Sequence, residues 1–214
     1  MSGRSLHAGF TLIEVLVALA VFAALAAAAY GGLAQIARTR AALAEQQDRF
    51  AAVSRAVAAL ERDLRQTIDR PVLGNSGDAV LPALAGHADG VEFTRLGFAN
   101  PRAEARSNLE RVVYSIADRA LVRGRYTVLD RVGDSMPTPT TLAARIDALH
   151  LRYFGCDGQW RDAWPPVAAL PCQAAGPTDA LPRAVEFRLM FGDIGEIRRI
   201  VELPAPIPSG LSSP

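Results

Sequence analysis

The sequence contains no lysine: all 23 basic residues among its 214 are arginine, set against 22 acidic residues for a net charge of +1. Without lysine there is no P-loop lysine, no Schiff-base amine and no Ser-Lys nucleophile, which removes several enzyme classes at once. A charge this close to zero sets up no field favouring nucleic acid, and no basic cluster with interleaved aromatics is present, so no nucleic-acid partner is expected. Histidine is scarce, at three. His7 lies in the first ten residues, and His87 and His150 are far apart with no Cys or carboxylate spacing that closes a metal site. Neither a metal nor any other cofactor is expected. There is no internal repeat.

What is present begins with a run free of charge from residue 15 to residue 37, mostly Val, Leu, Ala and Phe. These residues exceed the ~20 needed for a helix to cross a ~30 Å hydrocarbon core. Glu14 stands at the edge of this apolar stretch, where a carboxylate costs on the order of a few kcal/mol at mid-bilayer. The residues before Phe10 carry Arg4 and His7 but no acid, which holds this end in the cytoplasm by the positive-inside tendency and places the far end outside. A secretory signal has its small residues after the apolar core; here Gly9 precedes it.

A short basic leader ending in Gly9, then Phe10-Thr11-Leu12-Ile13-Glu14 and a long apolar helix, resembles the type IV prepilin and pseudopilin signal. The resemblance implies cleavage after Gly9 by a prepilin peptidase, N-methylation of Phe10, and a role for Glu14 in assembly. A buried carboxylate is tolerable there if it meets the amino terminus of a neighbouring subunit. It is also only ~6 Å of helix from the headgroups, close enough to snorkel, and both arrangements can hold at different stages.

Beyond the apolar run, Ile36, Leu43, Phe50, Val57 and Leu64 recur every seven residues, with Val53 and Leu60 between them. The spacing predicts one helix from about residue 10 to 69, roughly 90 Å long at ~1.5 Å per residue, ending before Pro71. Residues 50–68 are expected to pack on the protein's own strands, and Ile36 and Leu43 to meet partner helices. Glu45 with Arg49 and Glu61 with Arg65 form i, i+4 pairs on the outer faces.

From Pro71 the period becomes two. Strands are expected at 91–96, 111–117, 121–128, 146–154, 184–191 and 196–203, with hairpin turns at 117–120, 155–158 and 192–195. Segments 74–90, 99–108 and 133–141 read as loops, and the proline-rich tail as extended or disordered. Trp160 and Trp164, beside Pro165 and Pro166, are expected to cap the sheet core. The organisation is a leader (1–9), a transmembrane assembly helix (10–37), an amphipathic helix (38–70), a β-rich domain (71–203) and a flexible tail (204–214).

The fold class is α+β, similar to the pilin fold: a long N-terminal helix, half transmembrane and half amphipathic, packed on an antiparallel sheet region. The segments 60–66, 70–72, 91–97 and 181–187 look like those of the J family of minor pseudopilins of the type II secretion system. That resemblance implies a subunit of the pseudopilus tip, joined to minor pseudopilins I and K and to other pseudopilus and secretion-platform subunits. It would be anchored in the bacterial inner membrane with its C-terminal domain periplasmic, and would support export of folded proteins across the outer membrane. The alternative is a minor pilin of a type IV pilus or DNA-uptake machine. In an oxidising periplasm Cys156 and Cys172 are expected to bond, closing a loop worth roughly 3 kcal/mol, the alternative being two free thiols.

An enzyme is not expected. Gly133-Asp134-Ser135 is similar to the nucleophile block of one lipase class, and Asp147 with His150 gives D-x-x-H. That class separates the two blocks across a large α/β domain, whereas here they lie close together in sequence.

Overall fold

The computed structural model describes residues 10–77, 79–97, 107–131, 133–168, 170 and 181–204. The chain divides into two compact units, Met1–Ala51 and Ala52–Pro214. One helix, α1 (Leu12–Arg65), runs for 54 residues without a proline or a break. Arg62 and Arg65 occupy its last turn, where their charge complements the carbonyl end of the helix dipole.

Eleven strands follow among the described residues. β1 (Val72–Leu73) pairs with β2 (Val80–Leu81). β3 (Leu84–Gly86), β4 (Gly90–Leu96), β5 (Leu109–Ala117), β6 (Ala120–Arg125) and β7 (Thr138–Ala144) form an antiparallel meander in chain order. The second large sheet has the order β11-β10-β8-β9, from β8 (Ala148–Phe154), β9 (Trp160–Arg161), β10 (Ala184–Phe191) and β11 (Gly195–Glu202). Asp118 and Arg119 both take positive φ, 50° and 56°, giving the two-residue turn whose twist matches the β5–β6 hairpin. Gly86 is required by close approach: a Cβ there would lie 2.0 Å from the Tyr153 hydroxyl, which donates to the His87 carbonyl at 3.0 Å.

Alternation along the paired strands assigns the faces. Val91 and Phe93 on β4, Val112 and Tyr114 on β5, and Leu121 on β6 share one face of the five-stranded sheet. Val185, Phe187 and Leu189 on β10 lie opposite Tyr153, Leu151 and Leu149 on β8. Both inward faces join Val53, Ala56, Val57, Leu60 and Leu64 of α1 in one core, which also holds Trp164. Trp164 thus sits in the core as expected, whereas Trp160 is half-buried with its ring 4.9 Å from that of Phe154.

Charges are buried within this core. Asp63, 1% exposed, accepts from Tyr114 Oη at 2.8 Å and from Arg123 Nε at 2.7 Å, and lies 3.2 Å from Arg95 Nη1. Glu110 accepts from Arg95 Nη1 at 2.5 Å and Arg123 Nη2 at 2.6 Å, and Arg95 also donates to Gln66. Burial first, and then the Asp63 carboxylate, push the Tyr114 hydroxyl far above its ordinary pKa, so it remains a donor. On the opposite face of the same sheet, buried Arg111 donates to Glu92 at 2.9 Å and to the carbonyls of Pro82 and Ala83, and Arg131 also donates to Glu92. Burial lowers the Arg111 pKa, an effect that Glu92 opposes.

The strands expected at 91–96 and 184–191 match β4 and β10, and the three expected hairpins are present. Other expectations need correction. The helix ends at Arg65 rather than near residue 69, because β3 pairs only with the first part of β4 and residues 66–68 take the place beyond it. There Thr67 bridges Arg95, and the Ile68 N–H donates to the Thr94 carbonyl at 3.0 Å. Segment 133–141 is not all loop, since β7 begins at Thr138; its Pro139 is admissible because β7 is an edge strand. Likewise β1, β2 and β3 occupy parts of the stretch read as a loop from 74 to 90 and its flank. Glu61 pairs across to Arg199 at 3.2 Å rather than being confined to an outer-face pair with Arg65. Finally, Phe50 is 56% exposed and outside the core, whose helix face starts at Val53. Accordingly, Leu60→Ala should lower the unfolding free energy by about 3 kcal/mol, whereas Phe50→Ala should change it by less than about 0.5 kcal/mol, measured by chemical denaturation in detergent.

Candidate functional site

The amino-terminal end of α1 is organised by its own side chains. Thr11 precedes the first helical residue and Glu14 follows three positions later, the spacing of a capping box. The Thr11 N–H donates to Glu14 Oε2 at 3.2 Å, the Thr11 hydroxyl donates to the same oxygen at 3.1 Å, and the Glu14 N–H donates to Thr11 Oγ1 at 3.4 Å. The carboxylate is therefore satisfied locally, and first-turn amides that have no intrahelical acceptor gain one. Thr11 carries no role in the sequence-based expectations, although the T-x-x-E spacing is a legible signal. Phe10 is exposed beside this cap, and Gly9 lies outside the described residues.

Downstream of the cap, α1 is long and apolar enough to cross a membrane, and the apolar window lies outside the core. Ile36 and Leu43 are 53% and 51% exposed, and Phe50 belongs with them by both spacing and exposure. Seven residues is two helical turns less about 20°, so the three side chains form one slowly drifting stripe. Within the first unit this leaves two features: a capped terminus carrying one carboxylate, and an uncovered apolar helix surface.

The remaining candidates are dispersed. Cys156 lies in the turn between β8 and β9 and is disulfide-bonded; Cys172 lies outside the described residues. His87 is in the β3–β4 turn, while His150 is exposed on β8. Asp147 pairs with Arg119, and the Ser135 carbonyl, in the loop before β7, accepts from Asn75 at 3.2 Å. Among the described residues no group of three or more His, Cys, Asp or Glu is placed to hold a metal ion. The buried Asp63 cluster is likewise absent from the sequence-based expectations. Its signal is an acid occupying the apolar stripe 53, 56, 60, 63.

Comparison with known proteins agrees with this arrangement. The family described as "Type II secretion system (T2SS), protein J" matches residues 31–203, and the prokaryotic N-terminal methylation motif matches residues 4–30. Type II secretion system protein J of Escherichia coli is 34% identical over 208 residues, covering 94% of this chain and 98% of the relative. The protein of the same name from Vibrio cholerae is 32% identical, covering 94% and 89%. In the crystal structure of the GspK-GspI-GspJ complex from enterotoxigenic E. coli, one chain superposes with a TM-score of 0.61 at 30% identity, covering 74% of this chain and 99% of that one. A capped, exposed apolar helix leading into an α+β domain of the pilin-like kind, with family agreement over most of its length, means that this chain belongs to the type II secretion system protein J family, the minor pseudopilins of that apparatus.

Proposed function

We propose that this minor pseudopilin is a subunit of the pseudopilus tip that supports export of folded proteins across the outer membrane. It is cut after Gly9 by the prepilin peptidase, methylated at Phe10, and held in the bacterial inner membrane by one span with its short N-terminus cytoplasmic and its C-terminal domain periplasmic. It joins minor pseudopilins I and K, in the manner of the related E. coli protein in the GspK-GspI-GspJ complex. The observation that supports the reading is the first part of α1: a capped carboxylate at its start, followed by residues 15–37, which are free of charge, apolar and not buried. A cut after Gly9 creates a new amino terminus at Phe10, one residue before the cap. Glu14 then serves assembly by exchanging its local donors for the amino terminus of a neighbouring subunit, and Ile36 and Leu43 pack against partner helices. A Cys156–Cys172 bond suits the oxidising compartment. The family role is structural, and the chain is not proposed to act as an enzyme.

Intact-mass analysis of membrane-extracted protein should give a chain starting at Phe10 and carrying one extra methyl group, and the full chain in a strain lacking the peptidase. Retention of Met1 in the wild-type strain would refute the processing. Glu14→Val should leave membrane insertion intact, since it removes a costly carboxylate, while lowering recruitment into the tip complex and secretion. Full secretion from that variant at native abundance contradicts the pairing role. Single cysteines at positions 36 and 43 should crosslink to I and K, and polar substitutions there should weaken assembly while leaving the thermal melt unchanged. Absence of both crosslinks removes these two residues from the interface.

A further inference from the structure

The cluster of Asp63, Arg95, Glu110 and Arg123 balances two carboxylates against two guanidiniums inside the core. It draws its members from four different elements: α1, β4, β5 and β6. Asp63 is its only charged member on the helix. Some of the buried apolar places on α1 accept the residue one turn along the helix axis. A slide of four residues, ~6 Å at ~1.5 Å per residue, puts Val57 in the place of Val53 and Leu64 in that of Leu60, but sets Leu60 in the small place of Ala56 and Glu61 in the place of Val57. The same slide replaces Asp63 with Thr67, removing the acceptor of Tyr114 and Arg123 and leaving Arg95 and Arg123 with Glu110 as their one remaining carboxylate. Buried ion clusters contribute little net stability compared with well-packed apolar replacements of similar volume, but a misplaced partner leaves an uncompensated charge.

We infer that Asp63 is a positioning residue that sets the axial register of α1 on the five-stranded sheet, and that its cluster resists sliding of the helix along that sheet. Gln66 reinforces the lock by accepting from Arg95 one turn further on. Tyr114 is held at 0% exposure, stacked at a centroid distance of 6.2 Å on Phe93, so the donor facing Asp63 cannot follow a moving helix. The register role follows from this geometry alone. Its consequence for export, that a domain able to slip on its helix cannot transmit axial movement of the pseudopilus, rests on the proposed function.

The test uses the full chain in lipid nanodiscs, with spin labels on cysteines introduced at the exposed positions Arg55 on α1 and Ala117 at the end of β5. The comparison is with a variant carrying Asp63→Leu, Arg95→Met, Glu110→Leu and Arg123→Met, and with the near-isosteric Asp63→Asn. The parent should give one narrow distance by pulsed electron paramagnetic resonance. The quadruple variant should melt within a few degrees of the parent yet give a broadened or double distribution separated by about one helical turn, ~5 Å. Asp63→Asn should broaden in the same direction, and export should fall about tenfold in both at unchanged abundance. A single parental distance in both variants overturns the inference, and so does a quadruple variant that fails to fold, since the cluster would then supply stability rather than register. Broadened distances with undiminished export leave the register role standing and refute its link to the proposed function.

Discussion

Asp63 is a carboxylate buried in the middle of a helix face otherwise built from Val53, Ala56, Val57, Leu60 and Leu64, and the arrangement of the soluble unit follows from supplying it with partners. An unpaired charge at that depth costs several kcal/mol after relaxation, so the residues around it are constrained to be donors in fixed places. Tyr114 and Arg123 reach its Oδ2 from adjacent strands, and Arg95 reaches it from the next strand over. Arginine rather than a flexible ammonium suits this geometry, because a planar fork can serve Asp63, Glu110 and Gln66 together. Where the cluster ends, the helix ends: Gln66 and Thr67 leave the helical path to pair with the open edge of β4.

The same helix meets two sets of requirements along its length. Residues from 52 onward bury one face against two sheets, so polarity is confined to the outer faces and to positions with built partners. Residues 15–37 carry no charge and none of them is buried, which a water-exposed helix does not sustain without a lipid or protein environment. Glu14, the single charge near the start of that stretch, is tied back to Thr11 by both its hydroxyl and its backbone amide. Helix and domain are thus joined by covalent continuity, with α1 serving as anchor surface in one unit and core element in the other.

Much of this was legible in the sequence. An uncharged apolar run, a period of seven giving way to a period of two, and turn-forming residues at 118–119, 155–158 and 192–195 are local signals, and local chemistry decides what they form. β7 was missed because a Pro/Thr-rich strand at a sheet edge carries no alternation, as it buries little on either side. Phe50 was misassigned because a heptad stripe marks which residues share a face of the helix without marking how far the covering sheet extends. The buried ion clusters were invisible as clusters, since Asp63, Arg95, Glu110 and Arg123 are spread over sixty residues and, apart from Asp63 on the apolar stripe, each alone resembles an ordinary surface charge.

The sequence by itself determined the long helix, its membrane-compatible half, the antiparallel character of the remainder and the resemblance to minor pseudopilins. Each of these depends on residues within a few turns or one hairpin of each other. Only the tertiary structure decided where the core begins on α1, why the helix stops at Arg65 and which charges are interior. Those outcomes depend on which strand edges and donors meet the helix from segments distant in sequence: Phe50 and Val53 differ in burial because only Val53 reaches the shared core of the two sheets, and Asp63 is interior because β4, β5 and β6 bring Arg95, Tyr114 and Arg123 to it.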